Sequence, residues 1–236
     1  MSQGKVYLIP TTLGENNPME VLPITIKEVI LQLRHFIVEN EKTARRFIKK
    51  IAPELPQSEL QFELINKFTE AHQIPAYLTP CMEGVSVGVI SEAGCPGIAD
   101  PGAEVVKTAH DKNLEVVPLV GPSSILLALM ASGMNGQSFA FNGYLPIDKN
   151  DRKQALKFFE KRAKEEKQSQ LFIETPYRND KLVEEVLQVL QSDTLLCIAC
   201  DLTLPTQYIK TMSVAAWKKH KVSLHKRPAI FIIHKN

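Results

Sequence analysis

Short apolar runs alternate along the chain with segments whose apolar residues recur every three or four positions. Residues 5–10, 85–90 and 114–120 are short and rich in β-branched side chains, which predicts buried strands. The longer segments between such runs predict helices, one of them with Ser58 as its N-cap. The other elements predicted in the first half of the chain are a strand at 35–39 and helices at 25–33, Glu41–Ile51, 58–73, 103–113 and 125–132. Strands that alternate with helices predict βαβ units and a mostly parallel sheet.

The same alternation restarts in the second half of the chain. Residues 133–138 contain Gly and Asn and separate the two series of elements. The predicted strands here are 139–145, 170–174, Leu195–Cys200, 208–212 and 228–234, and the predicted helices are 151–167, 177–191 and 214–219. We therefore expect two α/β domains, residues 1–136 with a mostly parallel sheet and 137–236 with a mixed sheet, and a ligand cleft between them.

The composition narrows the class of protein. A chain of 236 residues that is 44% hydrophobic with a net charge of +2 is neither disordered nor basic over its whole surface, although a local basic patch stays open. Four cysteines are too few for a disulfide scaffold, and the first residues lack the apolar core of a signal peptide. The uncharged stretch 116–147 is interrupted by Gly and Pro, so no bilayer span is predicted. These features favour a reducing, cytoplasmic setting without membrane attachment.

Three predicted strands in the first half are followed by loops of small residues. The loop 91–102 reads S-E-A-G-C-P-G-I-A-D-P-G, with Asp100 placed to cap the next helix and Pro101 to enter its first turn. Residues 121–124 (G-P-S-S) and 10–14 (P-T-T-L-G) follow two other strands. Ligands bind beyond the carboxyl ends of parallel strands, so three such loops favour a small-molecule site over simple tight turns. They match neither a dinucleotide fingerprint nor a P-loop.

The loop 91–102 resembles the S-D-A-G-x-P-G-I-S-D-P-G signature of the tetrapyrrole methylase superfamily. More narrowly, the chain is similar to the bacterial small-subunit ribosomal RNA 2′-O-ribose methyltransferase family. Five other segments also resemble motifs of that family. Residues 120–124 resemble P-G-P-S-A, residues 131–146 resemble A-S-G…F-x-F-x-G-F-L-P, and residues 174–178 resemble E-S-P-H-R. Residues 199–203 resemble A-R-E-L-T, and residues 39–48 resemble E-D-T-R-x-T-R-K-L-L.

The resemblance implies a two-domain α/β methyltransferase that binds S-adenosylmethionine between its domains, usually as a homodimer. Small residues would admit the cofactor close to backbone, and helix N-termini suit its carboxylate. Glu92 and Glu174 would face its cationic groups, with plain surface placement as the alternative. The implied cofactor residues are Pro10, Leu13, Gly14, Glu92, Gly94, Cys95, Pro96, Ser123, Ser124 and Glu174, with Asp201, Pro228 and Ala229 as an adenine-side wall.

Departures from the family pattern cluster away from the cofactor loops. The family's Asn after the first strand is Glu15 here, and its A-R-E-L-T is Ala-Cys-Asp-Leu-Thr at 199–203. The Asp, Thr and Arg of E-D-T-R are lost after Glu39, and its His-rich segment has no counterpart near 62–67. This pattern fits a relative with an altered substrate better than the standard enzyme, with a degenerate, non-catalytic relative as the alternative. Glu15, Glu39 and Arg178 are the acceptor-side catalytic candidates, and the catalytic base stays open.

Basic side chains concentrate in two places. Residues 202–236 contain seven Lys or Arg and no Asp or Glu, and a second group lies on the predicted helix Glu41–Ile51. These groups predict an RNA-contacting patch, with a solvated basic face as the alternative. The predicted RNA-binding residues are Arg45, Arg46, Lys49, Lys50, Lys218, Lys219, Lys221, Lys226 and Arg227.

Cys197 and Cys200 have C-x-x-C spacing but lie in a predicted strand, where positions three apart face opposite sides. We therefore expect no metal site there. The six histidines are scattered, and no Ser-His-Asp arrangement follows from their positions.

The sequence therefore predicts a cytoplasmic S-adenosylmethionine-dependent methyltransferase that acts on ribosomal RNA ribose 2′-hydroxyls. Two alternatives remain at this point: a methylase of a tetrapyrrole or another small or protein acceptor, and a non-catalytic cofactor-binding sensor or scaffold.

Overall fold

The computed structural model describes residues 3–66 and 68–235 as two units, one that ends at Ser123 and one that begins at Ser124. The helix Ser124–Ser132 groups with the second unit, although the predicted domain bounds place it in the first. The bounds 1–136 and 137–236 stay a prediction.

The first unit is a parallel sheet covered on both faces. Its strands are β1 (Val6–Ile9), β2 (His35–Val38), β3 (Gln61–Leu64), β4 (Val87–Ile90) and β5 (Val116–Pro118). Its helices are α1 (Ile24–Gln32), α2 (Glu41–Ile51), α3 (Ile74–Tyr77), α4 (Thr79–Met82) and α5 (Gly102–Asp111), with 3₁₀ turns at Pro18–Glu20 and Gln57–Glu59. The strand order is β3-β2-β4-β1-β5, and every recorded pairing is parallel.

The alternation of side chains along β2 divides this core between the two faces of the sheet. Phe36 and Val38 pack with buried residues of α1 and α2, whereas Ile37 packs on the opposite face with Val105 of α5. Because both faces are covered, the strands are apolar at nearly every position, which is the pattern that the sequence carries.

The predicted helix 58–73 is wrong. Its first part forms the edge strand β3, which pairs in parallel with β2. The N–H of Gln61 donates to Arg34 O at 2.8 Å, and the Phe62 ring stacks on Phe36 at 5.6 Å. The four-residue spacing of Leu60 and Leu64 imitates a helix, but a neighbouring strand with open hydrogen-bonding groups overrides that local pattern.

The second unit carries a mixed sheet. Its strands are β6 (Phe139–Tyr144), β7 (Ser169–Ile173), β8 (Leu195–Cys200), β9 (Tyr208–Ser213) and β10 (Ala229–His234). Its helices are α6 (Ser124–Ser132), α7 (Lys149–Glu165), α8 (Asn179–Val189) and α9 (Val214–Trp217). The order is β6-β7-β10-β8-β9, with β6 and β7 parallel and the remaining neighbours antiparallel, as the predicted mixed sheet requires.

A buried ion pair joins two helices of this unit. Arg152 of α7 binds both carboxylate oxygens of Glu185 of α8, at 2.5 and 2.9 Å, and its remaining nitrogen donates to Pro146 O and Ile147 O. The side chains of the pair are 8% and 10% exposed. Over residues 3–66 and 68–235, no helix has the length and apolar character that crossing a bilayer requires.

Candidate functional site

Three loops meet at the carboxyl edge of the first unit's sheet, as the sequence predicts. The N–H of Thr11 donates to Gly94 O at 3.0 Å, and the Thr11 hydroxyl donates to Ser91 O at 3.2 Å. The Cys95 thiol lies 3.7 Å from Gly121 O and 3.4 Å from Pro122 O. The loops after β1, β4 and β5 are therefore tied to one another by backbone atoms and small side chains, which leaves little bulk at this edge.

Two glycines of the loop 91–102 need the left-handed backbone region. Gly94 has φ +75° and Gly97 has φ +79°. A Cβ on Gly94 would lie 3.1 Å from both Leu13 Cδ2 and Pro122 O, so a side chain there would press on the other two loops. A Cβ on Gly97 would meet ordinary contacts only, at 3.7 Å from Ala103 N.

Asp100 orders the end of this loop. Its Oδ1 accepts from the N–H groups of Gly97 and Gly102, at 2.5 and 2.9 Å. Helix α5 begins at Gly102 and its N-cap is Pro101, so the prediction of Asp100 as the cap and of Pro101 in the first turn is wrong by one residue, although Asp100 still holds the N–H of Gly102. Burial raises the pKa of the Asp100 carboxyl. The two hydrogen bonds stabilise its ionised form and so lower the pKa, but by less than burial raises it.

A pocket of about 170 Å³ lies beside these loops, within the first unit. Leu13, Gly14 and Glu92 of the predicted cofactor set line it, together with Arg46 and Lys50 of the predicted RNA patch. The Thr43 hydroxyl donates to Glu92 Oε1 at 2.5 Å and fixes that carboxylate against α2. Thr43 was not predicted, because its position in the E-D-T-R-like segment matches no required residue of the motif.

The three acceptor-side candidates have different electrostatic settings. Glu15 lies between Arg46 and Lys50, at 3.4 and 2.9 Å, and its pKa is lowered first by the Lys50 hydrogen bond. A carboxylate held in this way is a poor base. Arg178 donates to Glu174 Oε1 at 2.6 Å and is an ion-pair partner.

Glu39 is the candidate whose setting suits proton acceptance. Burial raises its pKa, the carboxylates of Asp100 and Glu92 add to the rise, and the backbone N–H of Glu92 opposes it. A carboxylate with a raised pKa binds a proton more tightly, which is the property that a general base needs.

The predicted residues of the second unit lie together at one edge of its sheet. Glu174 follows β7 and Asp201 follows β8, while Pro228 and Ala229 lead into the antiparallel β10. Asp201 accepts from Arg227 Nε at 2.7 Å and from the Thr206 hydroxyl at 2.9 Å, and its N–H donates to Pro228 O. Glu174 is buried and accepts from the N–H of Thr175 at 2.6 Å. Ser123 ends the first unit and Ser124 begins the second.

The predicted RNA-binding residues fall into two groups. Arg45 donates to Glu41 and to Gln57 O, both at 2.7 Å, and its guanidinium lies 4.4 Å from the Phe62 ring centre, so it joins α2 to the edge strand. Arg227 is similarly engaged by Asp201 and by Thr206 O. The remaining members extend exposed side chains; they are Arg46, Lys49, Lys50, Lys218, Lys219, Lys221 and Lys226.

The cysteine pair does not form a ligand set in the structure. Cys197 and Cys200 are both buried on β8, and all four cysteines of the chain are free. Burial raises the pKa of the Cys200 thiol to about 12. In the described part of the chain, no three His, Cys, Asp or Glu side chains are grouped as a metal site would require.

Sequence comparison relates the chain to RNA-modifying enzymes. No protein-family profile matches it. The protein named Ribosomal RNA small subunit methyltransferase I from Buchnera aphidicola is 28% identical over 235 residues, which span 98% of this chain and 78% of that protein. The protein of the same name from Bacillus subtilis is 31% identical over 201 residues, which span 85% and 64%.

Structure comparison gives the fold. The methyltransferase CobJ superposes with a TM-score of 0.64 at 16% identity, over 98% of this chain and 94% of that one. The cobalt precorrin-4 methyltransferase CbiF gives 0.61 at 14% identity over the same shares. Uroporphyrin-III C-methyltransferase from Thermus thermophilus, complexed with S-adenosylhomocysteine, gives 0.55 at 15% identity over 98% of each chain. The chain therefore has the tetrapyrrole methylase fold and is a divergent relative of the ribosomal RNA small subunit methyltransferases I.

Proposed function

We propose that this chain is an S-adenosylmethionine-dependent methyltransferase that methylates a ribose 2′-hydroxyl of small-subunit ribosomal RNA. One observation carries the proposal: relatives named for this RNA align with almost the whole chain, the signature loop 91–102 included. Glu15 and the other acceptor-side positions differ from the family pattern. We therefore do not carry over the identity of the methylated nucleotide from the relatives to this chain.

The cofactor site proposed for the first unit rests on the backbone that its loops present. Gly94 lets its loop approach Leu13 and Pro122 O closely, Gly121 lets the next loop pack directly on the Pro10 ring, and Glu92 is exposed in the adjoining pocket. These features fit a ligand that combines an adenosine, a cationic centre and an amino-acid tail. Bound S-adenosylmethionine supplies an electrophilic methyl group. The residues proposed to hold it are Pro10, Leu13, Gly14, Glu92, Gly94, Cys95, Pro96 and Ser123, and from the second unit Ser124, Glu174, Asp201, Pro228 and Ala229.

The chain's own contribution to catalysis is positioning and removal of one proton. Holding a hydroxyl oxygen about 3 Å from the methyl carbon and in line with the bond that breaks supplies several orders of magnitude in rate. Glu39 is the residue that we propose to accept the hydroxyl proton, because its pKa is raised while that of Glu15 is lowered.

A second candidate is a methylase with a tetrapyrrole or another small or protein acceptor. It is favoured by the names of the solved neighbours, which are enzymes of tetrapyrrole synthesis. The uroporphyrin-III C-methyltransferase is 19% identical to this chain, whereas a relative named for ribosomal RNA is 32% identical over 179 residues. A cofactor-binding sensor without turnover is the third possibility that the experiment must separate.

We further propose a cytoplasmic homodimer that processes ribosomal RNA and does not attach to a membrane. The charge-free helix α6 supports a dimer, because Met130 on its surface is 78% exposed. An exposed apolar helix face is typical of an interface between copies of a chain.

The deciding experiment is incubation of the protein with methyl-labelled S-adenosylmethionine and small ribosomal subunits from cells that lack it. We expect label in the ribosomal RNA, at a 2′-O-methylated nucleotide after digestion. Label in a tetrapyrrole or protein fraction would replace the RNA assignment with the small or protein acceptor. Cofactor binding without label in any fraction would favour the sensor.

A further inference from the structure

One carboxylate in the candidate site bridges two cationic side chains. Glu15 follows the loop after β1, and its Oε1 lies 3.4 Å from Arg46 Nη2 while its Oε2 accepts from Lys50 Nζ at 2.9 Å. Arg46 and Lys50 are four residues apart on α2, so their side chains share one face of that helix. All three side chains line the pocket beside Thr11–Gly14 and Glu92.

The carboxylate is charged and lies on the surface. The hydrogen bond from Lys50 and the charges of Lys50 and Arg46 lower its pKa, which favours the ionised carboxylate. Its side chain is 71% exposed, and those of Arg46 and Lys50 are 61% and 44% exposed. Ion pairs with this exposure contribute little to stability, so the contact exchanges readily with other anions.

A phosphodiester has the same chemistry as this carboxylate. It carries one negative charge, and its two non-bridging oxygens can reach two cations as the oxygens of Glu15 do. Arginine binds phosphate through its planar guanidinium and lysine binds it as a point charge. Both cations lie beside the loops at which the methyl group would be transferred.

We propose that Arg46 and Lys50 form a binding site for an RNA phosphate, and that Glu15 is an internal competitor which that phosphate displaces. This inference rests on the proposed RNA substrate. It gives Glu15 a role in setting RNA affinity: an RNA phosphate must replace the carboxylate before it can contact the two cations. The carboxylate thereby weakens binding of any RNA whose phosphate occupies this point.

The cofactor's own carboxylate is the other anion that could meet these cations. The two sources differ in a measurable way, because only RNA binding depends steeply on salt. The test therefore measures both a single-stranded oligoribonucleotide and S-adenosylhomocysteine as ligands.

The variant is Glu15→Gln, which removes the charge and keeps the shape. Its control is Glu54→Gln, because Glu54 is half-exposed and pairs with Lys27 at 2.8 Å in the same unit, outside the pocket. Both variants change the net charge by the same amount and lose an exposed ion pair. Thermal melting of both establishes that they are folded.

We expect Glu15→Gln to bind the oligoribonucleotide about three- to tenfold more tightly than the wild type at low salt, and Glu54→Gln to gain less than about twofold. The slope of log affinity against log salt should become steeper by up to about 0.7, the value for one more phosphate contact on a single strand. Adding Arg46→Gln and Lys50→Gln to Glu15→Gln should remove the whole gain.

Equal RNA affinities of the two single variants would overturn the inference, as would weaker binding by Glu15→Gln. A gain for S-adenosylhomocysteine without a gain for RNA would assign the cations to the cofactor and also overturn it. The wild-type arm separates this from the proposed function. A wild type that methylates ribosomal RNA while Glu15→Gln shows no gain contradicts the competitor alone, whereas a wild type that neither binds nor methylates RNA removes both.

Discussion

Gly94 and Gly97 share a left-handed backbone conformation but differ in what a side chain would meet. Alanine at either position is strained by about 1–2 kcal/mol. Only at Gly94 would the added methyl group press on Leu13 and Pro122, which belong to the other two loops of the edge.

We therefore expect Gly94→Ala and Gly97→Ala to melt at similar temperatures but to differ in cofactor affinity. Calorimetry with S-adenosylhomocysteine should show a loss of about tenfold or more for Gly94→Ala and little change for Gly97→Ala. Unchanged affinity in a folded Gly94→Ala protein would remove the loop 91–102 from the cofactor site.

Glu39 links the pH dependence of the reaction to that of stability. Its pKa is raised in the folded protein, so folding favours the protonated form, and this contribution to stability is lost as pH rises through the raised pKa. Proton removal needs the ionised form of Glu39, and the population of that form decreases as pH falls.

We expect kcat to fall on acidification with a midpoint above the ordinary range of a glutamate. Glu39→Gln should lower kcat by about a hundredfold or more and abolish that acid limb, without lowering the melting temperature at neutral pH. The exposed Glu20→Gln is the control and should keep both the rate and the limb. An intact acid limb in Glu39→Gln would assign proton removal to another group.

At the scale of elements, the contact between α2 and the edge strand β3 shows that basic residues of α2 contribute to packing as well as to charge. Arg45 is fixed by Glu41, by Gln57 O and by the Phe62 ring, and it holds the edge strand β3 against the helix. A charge reversal at Arg45 would therefore report on packing together with any loss of RNA contact. Charge changes that probe RNA binding belong at Arg46, Lys49 and Lys50, whose side chains are exposed.

The ion pair between α7 and α8 makes a prediction about the second unit. Arg152→Ala would leave the carboxylate of Glu185 buried without its partner, which costs about 3–5 kcal/mol. Denaturant unfolding should show this loss. Arg162→Ala, which removes an exposed pair with Glu166 at the C-terminal end of α7, should lose far less. Equal losses for the two variants would mean that burial of the first pair has no energetic consequence.

At the scale of the whole molecule, assembly can be tested through α6. We expect light scattering to report about twice the mass of one chain, because an exposed apolar helix face favours self-association. Met130→Glu should place a charge on that face and shift the population to the monomer with little change in the melting of the second unit. A wild-type monomer at micromolar concentration would contradict the dimer, and a Met130→Glu dimer would locate the interface elsewhere.

The sequence by itself determined most of the strands and helices and the position of the three loops. The strand Leu195–Cys200 and the helix Glu41–Ile51 begin and end where the local pattern and the turn residues predict. A strand buried on both faces needs a continuous apolar run, and a helix buried on one stripe needs apolar residues every three or four positions, so both can be recognised from neighbouring residues alone. The meeting of the loops follows from parallel strands, whose carboxyl ends share one edge. The confirmed fold and the similarity to the ribosomal RNA methyltransferases could be predicted for the same reason, since the signature loop is continuous in sequence.

Only the tertiary structure decided what depends on residues far apart in the chain. The segment 61–64 became an edge strand because β2 and Phe36 were there to receive it. Glu15, one of the acceptor-side candidates, pairs with Lys50, which lies 35 residues away in sequence, and the pKa of Glu39 is raised by burial and by the carboxylates of Asp100 and Glu92. Local propensity depends on residues that are adjacent in sequence. The strand pairing, burial and charge environment of a side chain depend on residues that are distant in sequence and become neighbours only in the folded protein.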